Sequence, residues 1–116
     1  MDFNTELPKE IVEKVFEAVE IAKKTGKIKK GTNETTKAIE RGTAKLVVLA
    51  KNTNPKEIIM HLPALCEEKG IPCATVNSKE ELGTAAGLGV PTSSVAVLQE
   101  GDAKALLKEL TEKLKA

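Results

Sequence analysis

Apolar residues recur at helical spacing near the start of the chain, where Ile11, Val12, Val15, Phe16, Val19 and Ala22 form one stripe. Pro8 suits the first turn of that helix, and Gly26 is expected to end it in a left-handed cap. A second, shorter helix is predicted just after Gly31, with Thr32 as N-cap, Thr36, Ala38 and Ile39 turned inward, and Gly42 as its stop. The pattern then changes period. "KLVVLA" (45–50) is a β-branched run without polar alternation, which predicts a buried central strand.

A third helix is expected from Asn54, with Pro55 in the first position, Glu57 completing a capping pattern and an apolar face of Ile58, Ile59, Leu62, Leu65 and Cys66. Pro63 falls inside this pattern and predicts a break or kink near Leu62, with Gly70 closing the element. "CATV" (73–76) and "SSVAVLQ" (93–99) read as two more strands, and Ser78 with Glu81 forms a capping box at the head of "SKEELGTAAG" (78–87). Asp102 is expected to cap a last helix that turns Leu106, Leu107, Leu110 and Leu114 inward. Strands alternating with helices predict a three-layer α/β/α sandwich around a small sheet, within one domain spanning residues 1–116.

Composition narrows the function classes. A 30% share of charged residues beside 41% hydrophobic ones is a globular balance. Neither a signal peptide nor an apolar run of roughly 18 residues is present, so a cytoplasmic protein without membrane attachment is expected. Cys66 and Cys73 sit in apolar surroundings and are expected as buried, reduced thiols.

The net charge of +1 conceals an asymmetry. Residues 23–51 hold nine basic side chains (Lys23, Lys24, Lys27, Lys29, Lys30, Lys37, Arg41, Lys45, Lys51) against Glu34 and Glu40, a balance of +7 that leaves −6 for the rest. A strongly basic segment on an otherwise acidic protein reads either as a solvated face or as the seat of a local anionic partner.

Catalysis finds little support. The one histidine, His61, reads as a packing or capping residue in "IIMHLPAL", and no metal cluster assembles around it. The glycines at 83, 87, 89 and 101 match neither the phosphate-loop nor the dinucleotide pattern, and no cofactor is expected. Phe3 and Phe16 are the only aromatics, too few for a base-stacking platform.

"KIKKGTNETTKAIERG" (27–42) is the stretch with the most chemistry in it. If Gly31 and Thr32 open a helix, their N–H groups and the positive end of the helix dipole form a phosphate seat beside Lys27, Lys29 and Lys30. Asn33, Glu34 and Lys37 then share the exposed first turn. A carboxylate is out of place on a surface that only attracts phosphate, yet it suits one that accepts hydrogen bonds from base N–H groups. In a sheared G·A pair guanine uses its N2 and N3 edge, which leaves O6 and N1–H for a lysine and a glutamate. The alternative is local: Glu34 complements the helix dipole and Lys37 pairs with it.

"KKGTNETTKAIERGTAKLVVLA" together with "NPKEIIMHLPALCEEKGIPCATVNSKEELGTAAG" resembles the archaeal kink-turn-binding ribosomal protein family, the L-seven-Ae family, which is related to a eukaryotic fifteen-kilodalton spliceosomal and nucleolar protein. The likeness runs from about Ile11 to the last helix. It implies a four-stranded mixed sheet, with a short fourth strand near Ile28 and Lys29. It also implies a non-enzymatic role in kink-turn recognition, with Asn33, Glu34 and Lys37 reading tandem sheared G·A pairs and Lys30, Gly31 and Thr32 holding the backbone. The loop "LGVPTSS" (88–94) matches the family's second RNA-facing element, so the resemblance implies that Leu88, Gly89, Val90 and Pro91, with Ile58, face a flipped-out nucleotide. Read from the residues alone, Leu88 and Val90 are more often loop anchors of the core. Arg41 and Lys79 are candidates for phosphate contacts. Val90 resembles the archaeal form that accepts kink-loops as well as kink-turns. Asn54 departs from the acidic residue that many relatives carry there.

The partners implied by this resemblance are ribosomal RNA in the large subunit, box C/D and H/ACA guide RNAs, RNase P RNA and a Nop5-type protein, with the free chain a monomer. A protein-interaction adaptor of the same fold is the competing expectation.

Overall fold

The computed structural model describes residues 8–51 and 61–115. Its elements in chain order are α1 (Lys9–Thr25), β1 (Lys27–Lys30), α2 (Thr32–Glu40), β2 (Leu46–Ala50), α3 (Leu62–Lys69), β3 (Cys73–Val76), α4 (Lys79–Ala85), β4 (Ser94–Gln99) and α5 (Lys104–Lys115), with a 3-10 turn at Gly101–Ala103. The strands lie in the order β1-β4-β2-β3. β4 runs antiparallel to both β1 and β2, and β3 runs parallel to β2, so the sheet is mixed and four-stranded.

The alternation of side chains along β2 divides the core. Leu46, Val48 and Ala50 point to one face of the sheet, where they pack with Val15, Val19, Leu82 and Leu110 of α1, α4 and α5. Val47 and Leu49 point to the other, where they meet Ala38 and Ile39 of α2 and Leu62 and Cys66 of α3. All five β2 residues are buried, which is why the strand reads as an unbroken apolar run. These two layers complete the expected α/β/α sandwich, and the smaller one carries α2.

Several local expectations are met. Ser78 Oγ accepts the Glu81 N–H at 3.1 Å at the head of α4, and Gly70 ends α3 with φ 69° and ψ 27°. Cys66 and Cys73 are buried free thiols. The Cys73 thiol is held well above its ordinary value, first by donating its S–H to Cys66 and then by burial.

Others are corrected. Gly26 does not adopt a left-handed conformation; its φ is −127°. The glycine is needed for space, because a Cβ there would lie 2.0 Å from the Gln99 carbonyl oxygen. That contact is backbone and cannot swing aside, so Gly26→Ala is expected to cost about 1–3 kcal/mol in urea unfolding. An unchanged midpoint would mean that α1 can shift away from β4 freely.

Asp102 does not cap α5, which begins two residues later; it lies in the 3-10 turn and donates its N–H to Thr25 Oγ1 at 2.8 Å. α3 begins at Leu62 with Pro63 in its first turn, where no hydrogen bond is lost, and the residues before His61 on which the expected break or kink turns lie outside the described residues. Asn54, Pro55, Glu57, Ile58, Ile59 and the side chain of Leu114 lie outside the described residues. No helix among the described residues is long and apolar enough to cross a membrane.

Candidate nucleic-acid interface

Strand β1 passes into α2 through Gly31 alone. Its φ of 96° and ψ of 154° lie in a region that residues other than glycine rarely enter, while a Cβ at this position would meet nothing within 4 Å. Glycine is therefore required by the turn and not by crowding. The Gly31 N–H donates to the Ser94 carbonyl at 2.9 Å, which fixes the turn to the start of β4.

Thr32 is the first helical residue and not the N-cap; Gly31 takes that place and supplies no side-chain cap. The first bond of the helix runs from the Thr35 N–H to the Gly31 carbonyl at 3.0 Å. The N–H groups of Thr32, Asn33 and Glu34 consequently have no intrahelical acceptor, at the positive end of the helix dipole. Lys29 and Lys30 are exposed just before this turn, and Lys27 at the start of β1.

The inward face of α2 consists of Thr35, Ala38 and Ile39, which turns Asn33, Glu34 and Lys37 to the surface. Thr35 is the buried threonine where Thr36 was expected; Thr36 is half-buried and donates its hydroxyl to the Thr32 carbonyl at 2.8 Å. Lys37 Nζ and Glu34 Oε1 are 4.0 Å apart, with the two side chains 58% and 48% exposed. An ion pair this long and open contributes only a few tenths of a kcal/mol, so both head groups can exchange it for a ligand at little cost. Arg41 is exposed at the far end of α2, eight positions after Asn33 on the same helical stripe, about 12 Å along the axis.

A groove of about 450 Å³ runs beside this stripe, lined by Thr32, Asn33, Thr36, Lys37, Glu40 and His61. His61 is not packed in the core: it is exposed and holds the N-cap position of α3 without a side-chain cap bond.

The second candidate element follows α4. Leu88 is half-buried against the larger core and donates its N–H to the Gly83 carbonyl at 2.8 Å, so it anchors the loop. Val90 is 65% exposed, the only large hydrophobic residue so exposed among the described residues. Gly89 and Pro91 flank it on the surface. The loop lies directly on α4, where a Cβ at Gly83 would come within 2.3 Å of the Val90 carbonyl oxygen. Thr92 is buried and donates its N–H to the carbonyl of the half-buried Lys79 at 3.1 Å. Ile58, the third expected wall of a nucleotide pocket, lies outside the described residues.

The structure thus brings Lys30, Gly31, Thr32, Asn33, Glu34 and Lys37 into one turn, which the Gly31–Ser94 bond ties to the end of the 88–94 loop. Among the described residues no group of three or more His, Cys, Asp or Glu side chains is arranged to hold a metal ion. What the arrangement offers chemically is a row of open N–H donors, flanking ammonium groups, one carboxylate acceptor and an exposed apolar loop.

The model of the ribosomal protein L7Ae/L30e/S12e/Gadd45 family matches residues 13–107, a span containing both elements. Among solved structures the chain is similar to the Giardia lamblia 15.5kD RNA binding protein, at 31% identity over 99% of this chain and 98% of that one, with a TM-score of 0.91.

Proposed function

The chain belongs to the ribosomal protein L7Ae/L30e/S12e/Gadd45 family, and on that premise we propose that it is a non-catalytic RNA-binding protein of ribonucleoprotein particles that recognises kink-turn RNA. The observation that carries this reading is the first turn of α2, where a carboxylate and an ammonium stand exposed and barely paired beside N–H groups without intrahelical acceptors. The open N–H groups and Lys30 take the phosphate backbone. Glu34 accepts from guanine N1–H and Lys37 donates to guanine O6 in the sheared G·A pairs, with Asn33 beside them on the same turn.

The exposed Val90 packs against the flipped-out nucleotide and, being uncharged, accepts kink-loops as well. Arg41 reaches phosphates further along the flanking helix, and Lys79 those near the loop. By binding one RNA conformer the protein shifts the RNA toward its kinked form. Its RNAs are then ribosomal RNA, box C/D and H/ACA guide RNAs and RNase P RNA, and a Nop5-type protein joins the guide complexes.

Replacing the guanines of the sheared pairs with 2-aminopurine removes O6 and N1–H but keeps the N2 and N3 edge that forms the pair. Wild-type protein is expected to lose roughly 5- to 150-fold in affinity for that RNA. A Lys37→Ala, Glu34→Ala double variant is expected to bind both RNAs equally weakly. If the double variant still discriminates between the two RNAs, base reading through this turn is wrong.

A further inference from the structure

The two candidate RNA-facing elements come from distant parts of the chain, and a single side-chain hydrogen bond joins them among the described residues: Thr32 Oγ1 and Ser93 Oγ lie 2.9 Å apart. Both residues are half-buried. The other hydroxyls at this joint do not help. Thr35 Oγ1 and Ser94 Oγ are buried without partners among the described residues, and Thr92 Oγ1 donates within its own segment, to the Ser94 carbonyl. Ser93 itself is seated firmly on the sheet, because its carbonyl accepts the Ala50 N–H at 2.9 Å. Its hydroxyl therefore extends from a fixed backbone to the first helical residue of α2.

Resting on the reading of this surface as a kink-turn site, we infer that Ser93 is a positioning residue. Through Thr32 it sets the spacing between the base-reading turn of α2 and the loop that carries Val90. A hydrogen bond suits this purpose better than apolar contact, because it is directional and holds one distance, whereas packing surfaces can slide. The neighbouring Gly31 N–H to Ser94 carbonyl bond fixes the backbone of the turn; the hydroxyl pair adds a second point of attachment and so removes rotation about the first. An RNA that touches both elements at once needs that relation to be fixed in advance, since ordering it on binding would weaken the complex.

The test compares Ser93→Ala, Thr32→Val and the double variant on two RNAs: a kink-turn with its flipped-out nucleotide and the same RNA abasic at that position. On the intact RNA each single variant is expected to bind roughly three- to tenfold more weakly, the range of one net hydrogen bond, and the double variant no more weakly than either single one. Thr32→Ser, which keeps the hydroxyl, is expected to bind more tightly than Thr32→Val. On the abasic RNA, which touches only one element, Ser93→Ala is expected to match wild type. Equal losses on both RNAs would reduce the pair to a general stabiliser of α2 and overturn the inference, as would unchanged binding to the intact RNA. Both of those outcomes leave the kink-turn reading standing. Failure of the wild-type protein to bind the intact kink-turn would overturn that reading and this inference together.

Discussion

Glu34→Ala is expected to weaken binding to a kink-turn RNA by about 1–3 kcal/mol, roughly 5- to 150-fold, although it makes the site more positive by one charge. The two accounts of this residue predict opposite signs. If the basic segment attracts RNA only through its charge, removing a carboxylate from its centre strengthens binding or leaves it unchanged. If Glu34 accepts hydrogen bonds from base N–H groups, its removal leaves those groups desolvated and unpaired in the complex. The geometry favours the second account, because Glu34 is half-exposed and its ion-pair partner Lys37 is 4.0 Å away. A carboxylate held that loosely adds little to the folded protein, so the variant should unfold at nearly the wild-type urea concentration. Titration of both proteins against kink-turn and plain duplex checks this: equal or tighter kink-turn binding by the variant refutes base reading by Glu34.

Ile39→Ala is expected to produce the largest loss of stability, about 2–5 kcal/mol in urea unfolding, with little change in the affinity of the folded protein. Ile39 is fully buried and packs in the smaller core with Val47, Leu49 and Leu62. It lies on the inward face of α2, away from Asn33, Glu34 and Lys37. Saturating RNA should offset part of the loss, by about 2.7 kcal/mol at a hundred times the dissociation constant. A variant that keeps its stability but loses its affinity would contradict this and mean that Ile39 positions the site without holding α2 to the sheet.

Apolar pattern made the interior strands easy to read. Strand β3 spans the expected residues 73–76, and β2 and β4 each begin one residue later than expected. Strand β1 carries no such signal: it is "KIKK", with Ile28 half-buried and the lysines exposed. It pairs with β4 through its backbone, and only the family resemblance pointed to it. Two of the errors share a cause, since each depended on a residue far away in sequence. Gly26 is fixed by the Gln99 carbonyl, and Asp102 is held by Thr25.

The site divides in the same way. Spacing alone put Asn33, Glu34 and Lys37 on one exposed turn, because helical periodicity is local. It could not separate Leu88 from Val90, which differ only in which one the fold uses as its anchor: Leu88 packs inward and Val90 stays exposed. Nor could it find Ser93, whose link to Thr32 crosses 61 positions of sequence.

The central claim is base-specific recognition by the first turn of α2, and the most direct measurement is a titration of the wild-type protein at two salt concentrations. One RNA is a kink-turn; the other is a matched duplex with both G·A pairs replaced by Watson–Crick pairs. The account predicts tight binding to the kink-turn that persists at the higher salt, with weak and salt-sensitive binding to the duplex. Equal affinity for the two RNAs, falling together as salt rises, would contradict it and leave the basic segment as an electrostatic patch.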